Sequence, residues 1–233
     1  MYSQADTHIH TTFSDGLFTP EETVDIINAR TDLRVIAITD HGTAEGALAA
    51  QAYARRLALP LEVVIGQEVF TKEGDVVGLF LKSSLPWYRT ALEAIEAIHA
   101  QGGLAVAVHP FSAWPTLNNM RGVGSKIFTL PFDAVEVRNG FPSNVVVNPL
   151  VAFLNRTIGQ NLSELGGSDS HVPYTAGQAS TWFPGHTALH LRRAIEQGAV
   201  WAGGSLWTLG NIVRIIRLVL TKGLPHYEHA YSD

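Results

Sequence analysis

Short apolar, β-branched runs alternate along this chain with stretches of helical periodicity. Residues 35–39, 61–66, 104–108 and 134–137 read as strands, and their alternation with helical patterns predicts parallel strands joined by helical crossovers. The first helix has a clear start. Thr19 is followed by Pro20 and Glu22, a capping box with proline at the first helical position, and the helix should run to about Arg30. Further helices are expected over 43–57, over 90–101 with Gly102-Gly103 as its stop, and over 187–197 with Gly198 as its stop. Residues 68–81 break the alternation: Gly74-Asp75 between two apolar runs predicts a hairpin inserted after the third parallel strand. Residues 111–130 mix Pro, Asn, Gly, Trp and Met without a period, as lids and binding loops do. Residues 211–220 are apolar except for a line through Arg214 and Arg217, too apolar for a free helix face. Residues 205–233 are therefore expected to form a helical extension packed on the main domain or on a partner subunit, a route to a homo-oligomer.

Composition narrows the class. The chain has 233 residues, 46% hydrophobic and 16% charged, with no composition break, repeat or low-complexity tract, which predicts one domain over 1–233 with a sizeable core. A net charge of −5 offers polyanions no general attraction and argues against non-specific nucleic-acid binding. With no cysteine, disulfides, thiolate metal sites and cysteine nucleophiles are excluded together, so any metal must be held by His, Asp and Glu. No spanning segment or leader pattern is read, and the expected location is cytoplasmic.

The chemistry concentrates at strand ends. In Asp6-Thr7-His8-Ile9-His10 an extended backbone puts both imidazoles on one side. Thr39-Asp40-His41-Gly42 follows the second strand, Gly66-Gln67-Glu68 the third, His109-Pro110 the fifth, and Gly167-Ser168-Asp169-Ser170-His171 ends a later one. In a barrel of parallel strands such ends converge on one face. Burying that many titratable groups for structure alone would be costly, so the convergence points to metal binding.

Asp6-x-His8-x-His10 with Ser14-Asp15-Gly16, then Ile38-Thr39-Asp40-His41, Gly66-x-Glu68, His109-Pro110 and Gly167-Ser168-Asp169-x-His171 together resemble the polymerase-and-histidinol-phosphatase (PHP) superfamily, over about residues 5 to 180. The resemblance implies an α/β fold, a distorted (β/α)7 TIM-like barrel, with a two- or three-metal phosphoesterase site at the strand C-termini. Carried onto this chain, the family pattern puts His8, His10, Glu68 and Asp169 on one metal, with Glu68 bridging to a second that His109 also holds, and Asp15, His41 and His171 on a third. The remaining ligand of the second metal is usually a histidine before a strand like Val76-Val77-Gly78-Leu79, where this chain has Asp75. Asp75 reads either as a ligand for a hard or borderline cation or as an exposed hairpin-turn residue. Asp6 and Asp40, beside ligands, are expected to hydrogen-bond histidine rings, with loop capping as the plainer reading. Glu136 points to the same end by alternation and either floors the site or pairs with Arg138.

Divalent cations in such a cage acidify a bound water and neutralise phosphate oxygens. The expected reaction is hydrolysis of a small phosphate ester or nucleotide-type substrate by a metal-bridging hydroxide, with Glu68, Asp169 and His171 catalytic and His171 a candidate leaving-group acid. Zn, Mn and Fe all suit the mixed ligands. Lys72, Arg121 and Arg138 are candidate phosphate contacts, against a plainer reading as surface charge, and Trp114 and Met120 candidate covers for an apolar leaving group. Two rivals stand beside this reading. Amidohydrolase-type carbonyl hydrolases share a His-x-His first strand, but many need a bridging lysine, and none of Lys72, Lys82, Lys126 and Lys222 ends a core strand. A non-catalytic metal-binding accessory module is the other.

Overall fold

The computed structural model describes residues 1–112, 122–205 and 209–223. One nine-stranded sheet carries the fold, in the order β7-β6-β5-β4-β3-β2-β1-β8-β9. The strands are β1 (Tyr2–Ile9), β2 (Val35–Ile38), β3 (Glu62–Val69), β4 (Val76–Leu79), β5 (Leu104–Ala107), β6 (Ala134–Asn139), β7 (Ser163–Gly167), β8 (Ala179–Pro184) and β9 (Trp201–Gly204). β1, β2 and β3 are parallel, as are β5, β6 and β7. The sheet curls until Ile9 pairs in parallel with Ser170, just beyond β7, where His10 N donates to Ser170 O at 2.9 Å. β1 to β7 thus enclose a nearly closed, distorted TIM-like barrel.

The hairpin forms, from Gly66↔Leu79 to Val69↔Val76, but it is no insertion. β4 also pairs antiparallel with β5, so one barrel stave runs in reverse. The chain must then climb the outer wall over residues 80–90 before α3 (Ala91–Ala100) can begin.

Thr19 caps α1 (Pro20–Arg30) through the expected reciprocal bonds with Glu22, and Thr90 caps α3 with Glu93 in the same way. Val24 and Ile27 of α1 and Ala47 and Ala50 of α2 (Glu45–Arg56) bury against Ile36 and Ile38 of β2. α4 (Asn148–Thr157), β8 and β9 have no counterpart in the sequence reading.

One end of the barrel is plugged. β8 runs antiparallel to β1, so α5 (Ala188–Glu196) emerges where the parallel strands start, and Ala188 N donates to Glu62 Oε2 at 2.8 Å. Leu191, Ala194 and Ile195 pack there on Ala5, Val35, Leu104, Ala134 and Phe183. A fully buried leucine or isoleucine contributes about 1.5–3 kcal/mol, so this end is sealed by hydrophobic burial. The opposite end, where β1, β2, β3, β5, β6 and β7 finish, is left to loops and polar side chains.

α6 (Leu209–Lys222) lies against the segment after β7, with the Arg214 guanidinium 4.7 Å from the Tyr174 ring centre. Leu209, Val213, Ile216 and Leu220 of α6 are exposed. No helix among the described residues is long and apolar enough to cross a membrane.

Candidate metal centre

The polar strand ends meet around Glu68, the last residue but one of β3. Its Oε2 lies 3.2 Å from His8 Nε2, 3.4 Å from His10 Nε2 and 3.2 Å from His41 Nδ1, and its Oε1 lies 3.1 Å from His109 Nε2. Four imidazoles therefore surround one buried carboxylate. Asp169 Oδ1 approaches His10 Nε2 at 3.3 Å and His8 Nε2 at 3.7 Å. Asp15, on the loop after β1, approaches His171 Nε2 at 3.0 Å and His41 Nε2 at 3.6 Å through its Oδ2. The side chains overlap as four groups whose ligand atoms lie within 4.8 Å: His10, Asp15, His41 and His171; His8, His10 and Glu68; His8, His109 and Asp169; and Glu68, Asp75 and His109. Asp75 is only 3% exposed, which overturns its reading as a water-exposed turn residue. The reversal of β4 brings its first turn inward beside Glu68.

Glu136 is the floor of the site. Its Oε1 accepts from His8 Nδ1 at 3.1 Å, and its Oε2 accepts from the His109 backbone N–H and from Asn139 Nδ2, each at 2.9 Å. A carboxylate can only accept, so Nδ1 of His8 donates to Glu136, and Nε2, which faces Glu68 and Asp169, is the nitrogen on which a cation would replace a proton. Gly167 makes room: a Cβ there would sit 2.4 Å from Glu136 Oε1 and 2.5 Å from His8 Cβ. Two ligand candidates, His109 at φ +29° and Asp169 at φ +54°, hold left-handed backbone, which costs energy and persists where surroundings enforce it. The Glu136 bond to His109 N is one such constraint. Glu136→Gln should therefore weaken metal binding about 10- to 100-fold while leaving the fold intact, because its amide must present N–H to one of three donors. Metal titration of the variant with far-UV circular dichroism checks this.

Asp6 and Asp40 do not touch histidine rings. Asp6 accepts from the backbone of His8 (3.3 Å), Ser168 (2.9 Å) and Gly177 (2.7 Å), and burial raises its carboxyl to about 6. Asp40 accepts from Thr11 N (2.6 Å), Thr11 Oγ1 (2.7 Å) and Ser14 Oγ (2.7 Å). The expectation of ring contacts is corrected. Exit loops carry backbone N–H groups that no strand partner satisfies, and these two carboxylates satisfy them. Asp6→Asn should cost about 1–3 kcal/mol in denaturant unfolding, since its amide cannot accept from all three N–H groups.

Alternation would put residues 136 and 138 on one face, but the β6–β7 register shifts between Glu136 and Arg138. The bulge turns Arg138 outward, where it donates to Gly204 O at 2.9 Å, and turns Asn139 inward, where Nδ2 donates to Asp169 Oδ2 at 3.2 Å. Asn139 is the site residue that sequence reasoning missed. Lys72 lies over Trp87 rather than in the cluster. Arg121, Trp114 and Met120 lie outside the described residues.

Electrostatics follow from this packing. Burial alone would push His8 down, but the charges of Asp169, Glu136 and Glu68 outweigh it and hold it well above its ordinary value. Against the same burial, Glu68 and Asp15 raise His41 to about 10, Asp15 and Asp169 raise His171 to about 9, and Glu68 raises His109. Burial opposes ionisation of Glu68, Asp15 and Asp169 too, yet the surrounding imidazoles win and hold all three below the usual carboxylate range. Only His10 is lowered, by burial and by the charges of His171 and His41.

These residues fit divalent cations. His10 Nε2, Asp15 Oδ1 and His109 Nδ1 are buried without a hydrogen bond of good geometry. A buried imidazole nitrogen and a carboxylate oxygen left in a polar cluster, as at His10 and Asp15, are what a cation completes. The donor set, imidazole and carboxylate without sulfur, suits borderline and hard ions.

Residues 6–110 match the family model described as PHP domain, and residues 160–200 match the one described as PHP-associated. An uncharacterised protein of Methanocaldococcus jannaschii is 37% identical over 166 residues, 66% of this chain and 91% of that protein. The 5'-3' exoribonuclease Rnm of Salmonella typhimurium is 37% identical over 106 residues, 42% of this chain and 35% of Rnm. Among solved structures, a two-domain protein from Bacteroides vulgatus containing a predicted PHP-like metal-dependent phosphoesterase shares the fold with a TM-score of 0.67 at 20% identity, over 88% of this chain and 65% of that one. The two matched segments contain His8, His10, His41, Glu68, His109 and Asp169, all of which converge at one end of the barrel, and the chain belongs to the PHP domain family.

Proposed function

We propose that this chain hydrolyses a small phosphate ester or a nucleotide-type substrate at the cluster around Glu68. The observation that carries the reading is the overlap of ligand groups, with Glu68 and His10 each belonging to two of them. In this reading His8, His10, Glu68 and Asp169 would hold one cation. Glu68 would also serve a second, together with Asp75 and His109, and Asp15, His41 and His171 would hold a third. When bound, divalent cations lower the pKa of water toward neutrality and neutralise phosphate oxygens.

The chain's own part is positioning and proton placement. Glu136 orients the His8 ring through Nδ1 and anchors the His109 backbone, while Asn139 anchors Asp169. Phe70 stacks on His41, ring centres 4.8 Å apart, and fixes that imidazole from outside. His171 Nδ1 donates to the Asp169 carbonyl at 3.0 Å, which leaves Nε2 for Asp15 and for the substrate side of the site. A proton on Nε2 could serve a departing alkoxide where His171 is not itself committed to a cation.

The likeness to the exoribonuclease Rnm supports phosphodiester as well as phosphomonoester substrates. The test is a panel of phosphomonoesters and phosphodiesters run with protein reconstituted separately with Zn, Mn and Fe, beside amide and carboxyl-ester substrates. Turnover of a phosphoester that stops on chelation is expected. Turnover of carbonyl substrates alone, or of nothing with any metal, overturns the reading.

A further inference from the structure

The loop end of the barrel carries an aromatic and cationic pair outside the His/carboxylate cluster. Lys72, on the turn joining β3 to β4, holds its Nζ 5.5 Å from the ring centre of Trp87, and Trp87 keeps 44% of its surface exposed. The reversed stave puts Trp87 there. Residues 80–90 climb the outer wall, and at the top Thr71 pairs with Tyr88, whose N–H donates to Phe70 O at 3.2 Å. Phe70 stacks on His41, and His41 Nδ1 is 3.2 Å from Glu68. One aromatic ring and one short stretch of backbone therefore separate the pair from the cluster.

The nearby charges favour an anion at Lys72. Its neighbour Glu73 is committed elsewhere, accepting from Ala91 N at 3.0 Å and pairing with Lys126 at 3.4 Å. Among the described residues no carboxylate lies within ion-pair distance of Lys72. A half-exposed indole offers stacking that any nucleobase can use, and the lysine that lies over it offers a point charge for a phosphate.

We propose that Trp87 and Lys72 form a nucleotide subsite, in which Trp87 stacks a base and Lys72 pairs with a phosphate of a substrate whose scissile phosphate lies at the cluster. This rests on the phosphoesterase reading above and narrows its substrates to those carrying a base as well as a phosphate. A mononucleotide or a single strand could supply that chemistry.

The test is equilibrium binding to the metal-loaded protein, read by fluorescence anisotropy of a labelled, phosphorothioate-linked tetranucleotide and by its displacement with AMP. Trp87→Ala should weaken tetranucleotide binding about tenfold or more, and Trp87→Phe should restore most of it. Lys72→Ala should weaken binding and reduce its dependence on salt by about one counterion. Weaker AMP displacement in Trp87→Ala identifies a mononucleotide subsite, whereas an effect on the tetranucleotide alone identifies a strand. Unchanged affinity for both ligands in Trp87→Ala and Lys72→Ala overturns the subsite, as does equal loss in Trp87→Ala and Trp87→Phe. Wild-type turnover of AMP and of the unmodified tetranucleotide, measured alongside, reports on the phosphoesterase reading by itself: binding that depends on Trp87 without turnover of either keeps the subsite and overturns that reading.

Discussion

Glu68→Gln is expected to lower phosphoester turnover by about 10³-fold or more, and Asp75→Asn by much less. Glu68 is the one carboxylate that four imidazoles approach, through both of its oxygens. A glutamine there removes the shared negative charge and presents an N–H to one side of a cluster built to accept cations. Several kcal/mol of charge stabilisation are at stake, each 1.36 kcal/mol being tenfold in rate. Asp75 belongs to one ligand group only, and asparagine keeps an oxygen donor in its place. Kinetics of both variants with bound metal measured in parallel check the ordering. Equal, full activity of the two would show that Glu68 is not a bridge.

The second large effect is on pH. In the metal-free cluster His41 and His171 are raised to about 10 and about 9, and His8 and His109 are raised as well. A histidine must lose the proton on its ligating nitrogen before it binds metal, so protons compete with cations well above the ordinary histidine value of 6.5. Apparent metal affinity should therefore climb steeply from neutrality towards pH 9, with more than one proton released per ion. Calorimetry in buffers of different ionisation enthalpy counts those protons.

Stability without metal should move the opposite way. A group whose pKa rises on folding stabilises fully below its unfolded value and loses that contribution as pH climbs through its folded value. The chelated protein should accordingly lose thermal stability between about pH 6.5 and 10, while Asp15, Glu68 and Asp169, held low, withdraw theirs only in acid. The acidic limb of activity should shift to lower pH when free metal is raised. A limb that ignores metal concentration, or activity lost with every ion still bound, would contradict ligand protonation as its cause.

How much of this was legible in the sequence follows from what is local. His8 and His10 share a face because strand geometry repeats every two residues, and the caps of α1 and α3 are written in four-residue signals at Thr19 and Thr90. The convergence of His41, Glu68, His109 and Asp169 followed from their places at the ends of strands. The failures are tertiary. The bulge that exchanges Arg138 for Asn139 has no sequence marker in Val135-Glu136-Val137-Arg138, and the reversal of β4 turned an ordinary Gly-Asp turn into a buried carboxylate. Asp6 and Asp40 went to backbone N–H groups because exit loops leave such donors unsatisfied, a demand that no side-chain pattern announces. β9, two of whose four residues are glycine, has little β propensity to read.

The most direct test of the account is the number and spacing of ions in the protein. Elemental analysis of the metal-replete protein at pH 8, combined with anomalous diffraction at the absorption edge of the metal found, should show at least two ions bridged by Glu68, with His8 and His109 on different ions. A single ion, none, or ions that Glu68 does not touch would contradict it.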